Sequence, residues 1–178
     1  QGEFGNDTWL DDSWRYTGNT GVWAQMTIDP ELNLAYIPVE APTNDYYGGH
    51  RDGDNLFSGS VVALDLDTGE RVWHYQTVHH DIWDWDLPAA PVLLDITVDG
   101  RDIKALIQPT KQSYMFVLDR VTGEPVWPIP EMPVTQGDVP GEWYSPTQPI
   151  PSRPPPVDEI DLGVEDLVDY TPELLAQA

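Results

Sequence analysis

Short runs in which apolar residues alternate with polar ones, or stand briefly together, recur along the first two thirds of the chain between turn-forming residues. The runs at 34–39, 59–65, 71–76, 91–96, 103–108 and 114–118 are rich in Val, Ile, Leu, Tyr and Phe. Their length and period predict strands. Asp29-Pro30, Asp67-Thr68-Gly69, Asp99-Gly100 and Val121-Thr122-Gly123 fall where reversals are needed. Gly tolerates positive φ there and Asp or Thr side chains bond nearby amides, so the runs are expected to join as a meander. No long stretch before residue 155 keeps a helical apolar period, and the predicted fold class is all-β. From Pro128 to Pro156 the pattern gives way to WPIPEMP and SPTQPIPSRPPP, which predicts an extended surface excursion. Beyond it, one or two short helical turns are expected, the last opened by Thr171 as cap ahead of Pro172 and Glu173.

One phrase occurs twice. VALDLDTGERVW ends at Trp73 and FVLDRVTGEPVW ends at Trp127, and the two align without a gap. In each, a strand ends at an aspartate (Asp65, Asp119), Thr-Gly closes a turn (Thr68-Gly69, Thr122-Gly123), and Trp follows on the next strand. A hairpin of this kind cannot bury its own apolar face, so its recurrence implies stacked neighbouring units. The phrase closely resembles the tryptophan-docking motif of the quinoprotein dehydrogenases, Ala-x-Asp-x-x-Thr-Gly-x-x-x-Trp, from which the second copy departs by placing Val117 at the Ala position. The resemblance implies part of an eight-bladed β-propeller, in which Trp73 and Trp127 are packing residues. Residues 1–127 would then supply blades of a domain that binds pyrroloquinoline quinone (PQQ), and 128–178 the proline-rich excursion and the start of a following segment.

Charge narrows the partners. With 31 acidic against 8 basic residues and a net charge of -23, the chain repels polyanions, which excludes nucleic acid. The absence of cysteine excludes disulfides, thiolate metal sites and cysteine nucleophiles. The opening residues show no basic and apolar leader pattern, and no apolar run approaches a membrane span, so either the protein is cytosolic or this is a segment whose targeting region lies outside it.

The densest candidate chemistry lies between the repeats. The stretch from Thr77 to Ala90, TVHHDIWDWDLPAA, packs two His, three Asp and two Trp together. Carboxylates beside indole rings sit in a partly apolar setting where a general base can be made. The segment strongly resembles the active-site segment of membrane-type quinoprotein glucose dehydrogenases. The match carries the role of general base to Asp84, and leaves Asp81 as a loop hydrogen-bonding residue and Asp86 as a turn or surface carboxylate. IQPTKQSYMFVLDR resembles the family strand whose Lys stands beside the quinone, which points to Lys111, whereas Lys104 is expected to be solvated. YTGNTGVWAQ resembles the strand whose Trp forms the floor under the planar cofactor, which points to Trp23.

The family's calcium-ligating Asn falls on Ala41, which has no side-chain oxygen to offer. Glu40, Asn44, Asp45 or a main-chain carbonyl is left to substitute, with Glu40 and Asp84 the expected metal residues. Residues 46–57 read as a loop near the pocket mouth. The resemblance implies PQQ, with calcium as its companion ion, and oxidation of a glucose-type sugar with electrons leaving to a quinone or cytochrome. A PQQ-dependent alcohol or polyol dehydrogenase is the alternative. A non-enzymatic propeller scaffold would share the docking motif but has no use for Asp84, Lys111 and Trp23 together. The family also implies a periplasmic parent, with attachment to the inner membrane, and a segment that is inactive alone because its blade edges are unpaired.

Overall fold

The computed structural model describes residues 2–159 and 163–177. Gln1 and Ala178, the outer ends of the two expected spans, lie outside the described residues. A four-stranded antiparallel meander comes first, with β1 (Thr27–Asp29), β2 (Leu34–Pro38), β3 (Ser60–Asp65) and β4 (Arg71–Gln76) paired in chain order. A three-stranded meander follows, built of β5 (Val92–Val98), β6 (Arg101–Pro109) and β7 (Met115–Asp119). The all-β expectation holds. All six predicted runs are strands, with ends shifted by a few residues, and β1 is an addition that its short length hid.

The second meander stops at three strands for a local reason. Where the first copy of the repeat has Arg71, which opens β4, the second has Pro125. Proline has no N–H to give to a ladder, and the pairing shrinks to the isolated bridge between Leu118 and Pro125. Trp127 is only half-buried as a result of lying beyond that bridge.

The proline-rich excursion is less free than its composition predicts. Within it β8 (Glu131–Pro133) pairs antiparallel with β9 (Thr147–Pro149). The pairing places prolines where no ladder N–H is needed, which is how a sequence so poor in β-branched residues still makes a hairpin. At the far end, a 3-10 turn at Val164–Asp166 and one helical turn, α1 (Pro172–Leu175), occupy the region predicted to turn. The Thr171 side chain accepts from the Leu174 N–H at 3.2 Å, as a cap should.

The two meanders pack face against face. Leu34, Tyr36, Val61, Ala63 and Trp73 of the first meet Leu106 and Leu118 of the second, with Leu87 between them. Trp73 is the key side chain. Its indole N–H donates to the Arg120 carbonyl at 3.2 Å, and the Tyr36 hydroxyl donates to the same oxygen at 2.8 Å. A Cβ on Gly123 would stand 2.7 Å from the Trp73 ring, so this glycine is required both by its φ of +79° and by the indole lying on it. Arg120 fixes the same corner. It donates to Asp29 Oδ2 at 2.7 Å, to the Leu94 carbonyl at 2.9 Å and to Asp95 Oδ1 at 2.8 Å. Burial opposes the charge on Asp29, but Arg120 and the Leu32 and Glu31 amides outweigh it and hold its carboxyl below the usual range.

Antiparallel pairing sorts the connections. The two Thr-Gly turns of the repeat, the β1–β2 turn and the β5–β6 turn lie at one end of the strands. The segments before β1, between β2 and β3, between β4 and β5, and between β6 and β7 lie at the other end. Every candidate site residue is on this second set.

Candidate functional site

Four separate loops bring the site together. Trp23 precedes β1, Glu40 and Ala41 follow β2, Asp84 and Asp86 stand between β4 and β5, and Lys111 is in the tight β6–β7 turn. Trp23, Glu40, Ala41, Asp84 and Asp86 line an open cleft of about 670 Å³ together with Asn19, Asn44 and Asp45, while Lys111 reaches Asp84 and Asp86 from the neighbouring pocket that it lines with Trp85 and Gln148.

Lys111 is the electrostatic centre. Its Nζ is 3.1 Å from Asp84 Oδ2 and 3.0 Å from Asp86 Oδ2, and donates to the Asp84 carbonyl at 2.8 Å. The ammonium also stands over the Trp23 ring, 5.9 Å from its centroid. Partial burial works against the ammonium, but hydrogen bonds to Asp86 and Asp84 outweigh it and push the Lys111 pKa up. The lysine is therefore a fixed cation at neutral pH.

Asp86 corrects a sequence expectation. It is buried rather than a turn or surface carboxylate, and its two oxygens are fully engaged: Oδ1 accepts the Ala41 N–H at 2.7 Å, and Oδ2 accepts the Trp23 indole N–H at 3.2 Å as well as Lys111. Burial alone would raise its pKa, but the Ala41 amide, Lys111 and the Trp23 indole reverse the effect and lower it. Asp86 thus orients both Trp23 and Lys111. Its alternation with Asp84 put it on the same segment in the sequence, but nothing local showed that Trp23, 63 positions away, would reach it.

Asp84 keeps more freedom. Its side chain is about a third exposed, at 33%, and its backbone adopts the left-handed region at φ 58°. That conformation is uncommon for a residue with a Cβ, and here it sits where the turn presents a carboxylate to the cleft. Asp81 supports the turn from within. It is fully buried and accepts the Trp83 and Trp85 N–H groups, each at 2.9 Å, as the expected loop hydrogen-bonding residue. Burial pushes its pKa up to about 6 against these two amides.

Trp23 is 56% exposed, so its ring has a free surface on which a flat molecule can stack. A planar quinone on that surface would meet the Lys111 ammonium, and this is the arrangement that fits PQQ. The metal expectation receives less from this chain. Glu40 and Asp84 both line the cleft, but Glu40 Oε1 accepts the Gly21 N–H at 2.9 Å. Among the described residues no three His, Cys, Asp or Glu side chains converge as a metal would require. Ala41 turns its N–H, not an oxygen, into the cleft's carboxylate network. Lys104 lies at the opposite end of the strands, in an exposed ion pair with Glu31.

The family model described as glucose/ethanol/alcohol dehydrogenase, β-propeller domain, of the PQQ type, matches residues 1–178. Quinoprotein glucose dehydrogenase of Gluconobacter oxydans (strain 621H) is 49% identical over 130 residues, covering 72% of this chain and 16% of the relative. The glycerol dehydrogenase large subunit of Gluconobacter thailandicus is 41% identical over 158 residues, covering 87% of this chain and 21% of the relative. Among solved structures, quinohemoprotein alcohol dehydrogenase from Comamonas testosteroni superposes with a TM-score of 0.66 at 30% identity, over 83% of this chain and 22% of that one. The chain spans about a fifth of the length of these relatives. With its repeat, its cleft and its sequence in agreement, this chain belongs to the PQQ-dependent glucose/ethanol/alcohol dehydrogenase β-propeller family.

Proposed function

We propose that the protein containing this chain oxidises a glucose-type sugar with PQQ as cofactor and passes the electrons to a quinone or cytochrome. The observation that carries the proposal is the Lys111 ammonium shared between Asp84 and Asp86 beside the free face of Trp23. PQQ, when bound, supplies a two-electron acceptor for the hydride of the alcohol carbon. Asp84 accepts the hydroxyl proton, for which its exposure to the cleft and its place beside Lys111 suit it. Lys111 contributes a preorganised positive charge where negative charge develops, and Asp86 keeps that charge in place. Trp23 supplies the flat platform.

Glu40 and Asp84 would hold a calcium ion jointly with ligands from elsewhere in the longer protein. The two meanders would be successive blades of an eight-bladed propeller, placed in the periplasm and associated with the inner membrane. The relationship to a glycerol dehydrogenase subunit favours a polyol or alcohol as the second reading of the substrate. The test is dye reduction by the full-length protein, with PQQ and calcium, across glucose, other sugars, glycerol and ethanol. Sugar oxidation that requires PQQ is the expected result. A preference for glycerol or ethanol selects the second reading, and folded protein that binds no PQQ contradicts both.

A further inference from the structure

Behind the turn that carries Asp84 lies a buried link to the proline-rich excursion. His80 and Glu142 side chains are 1% and 2% exposed, with His80 Nε2 at 3.2 Å from Glu142 Oε1. The other ring nitrogen, Nδ1, is 2.9 Å from the Gly53 carbonyl. A neutral imidazole has one N–H for these two acceptors, so both hydrogen bonds form only when the pair holds one further proton. Glu142 is itself well supplied with donors: Oε2 accepts the Gly48 N–H at 2.8 Å and Oε1 the Trp143 N–H at 3.1 Å. The Trp143 ring closes the contact by meeting the His80 ring edge to face, with centroids 4.7 Å apart.

This link grips two walls of the cleft. Through the Gly48 N–H it holds the segment that carries Asn44, Asp45, Tyr46 and Tyr47, and through His80 it holds the start of the turn that presents Asp84. His80 is at φ 47° and Asp84 at φ 58°, so the turn takes left-handed backbone at both residues and depends on its neighbours to stay there. From the inside Asp81 fastens the Trp83 and Trp85 amides, and at the far end Asp86 is fastened by Ala41, Trp23 and Lys111. The near end is fastened by the excursion. Next to His80, the His79 main chain exchanges two hydrogen bonds with the Gln148 side chain, at 2.9 and 2.7 Å.

We propose that Glu142 is a positioning residue for the oxidation, acting through His80 to hold the turn from which Asp84 takes the substrate proton. The proposal rests on the reading of Asp84 as proton acceptor. Gly48 offers an independent handle on the same link, because a Cβ there would stand 2.6 Å from His80 Nε2 and displace the ring.

The experiment uses the full-length protein and a substrate that the wild type turns over, from among glucose, glycerol and ethanol. Glu142→Ala, Glu142→Gln and Gly48→Ala are compared in steady-state kinetics, in PQQ binding by absorbance, and in amide hydrogen exchange of the PQQ-free protein. A misplaced reacting group lowers kcat by about 10- to 100-fold, and that loss is expected for Glu142→Ala and Gly48→Ala. KM and PQQ affinity should stay within about 3-fold, the signature of a loss confined to the chemical step. Exchange across residues 79–86 should accelerate in both variants. Glu142→Gln should recover part of the kcat lost in Glu142→Ala, because its amide can donate to Nε2 of a neutral His80 whose Nδ1–H serves Gly53, at the expense of the bond that Oε1 accepts from the Trp143 N–H. Where Glu142→Ala does not fold, Gly48→Ala and Glu142→Gln carry the comparison. Unchanged kcat and unchanged exchange in the folded variants overturn the positioning role while leaving the PQQ reading intact. A wild type that binds no PQQ overturns both.

Discussion

The two ends of the strands use the same three kinds of residue for different purposes. At the turn end, Trp73 donates to the Arg120 carbonyl while the Arg120 guanidinium is bound to Asp29, and all three residues are buried. At the cleft end, Trp23 donates to Asp86 and Lys111 is bound to Asp86 and Asp84, but the Trp23 face and the Asp84 carboxylate remain open. A tryptophan, a cation and an aspartate are thus a packing device where they are enclosed and a chemical site where one side is left to solvent. What separates them is access, not composition.

The largest effect expected from testing that contrast is at Asp84. In Asp84→Asn the side chain no longer accepts a proton, and kcat should fall on the order of 10³-fold while PQQ still binds, as read by dye reduction and absorbance. Next comes Arg120→Ala, which leaves Asp29 buried beside its two amide donors without its cation. The unfolding free energy of the full-length protein should drop by about 3 kcal/mol, measured in denaturant, with kinetic constants unchanged. This link has a definite pH dependence. The Asp29 carboxyl is lowered in the folded protein, so its stabilisation is present above the unfolded value of 3.8 and is lost as pH falls through the lower folded value. The variant should show less of this acid-limb loss in a stability titration.

A pair of tryptophan substitutions sharpens the comparison further. Trp73→Phe should lower stability by about 1 kcal/mol through the lost hydrogen bond to Arg120, without effect on PQQ binding. Trp23→Ala should weaken PQQ binding by about 10-fold for loss of the stacking surface, with little change in thermal midpoint. The smallest effect belongs to Lys104→Ala. Its pair with Glu31 is exposed, and stability should change by less than about 1 kcal/mol.

How far this contrast could be read in the sequence depended on distance along the chain. The repeat was legible because Asp65, Thr68 and Gly69 satisfy one another locally: Asp65 Oδ1 accepts the Thr68 N–H at 2.9 Å and its hydroxyl at 3.0 Å. Trp23, Asp84 and Lys111 stood out through their motifs, and the fold brings the Lys111 ammonium against both of the others. Asp86 and Arg120 were not, because each takes its role from partners that only the packed meanders supply. The β8–β9 hairpin was missed because its prolines carry no strand pattern, and Glu142 because its histidine partner lies 62 positions away in the chain. Local chemistry announces itself in sequence, whereas a buried long-range pair looks like any other charged residue.

The open end, and not the closed one, is expected to receive the cofactor. An experimental structure of the full-length protein with PQQ bound tests it most directly. The quinone is expected stacked on Trp23 with the Lys111 ammonium within hydrogen-bonding distance of one of its oxygens. PQQ bound away from Trp23, with Lys111 still engaged only by Asp84 and Asp86, would contradict it.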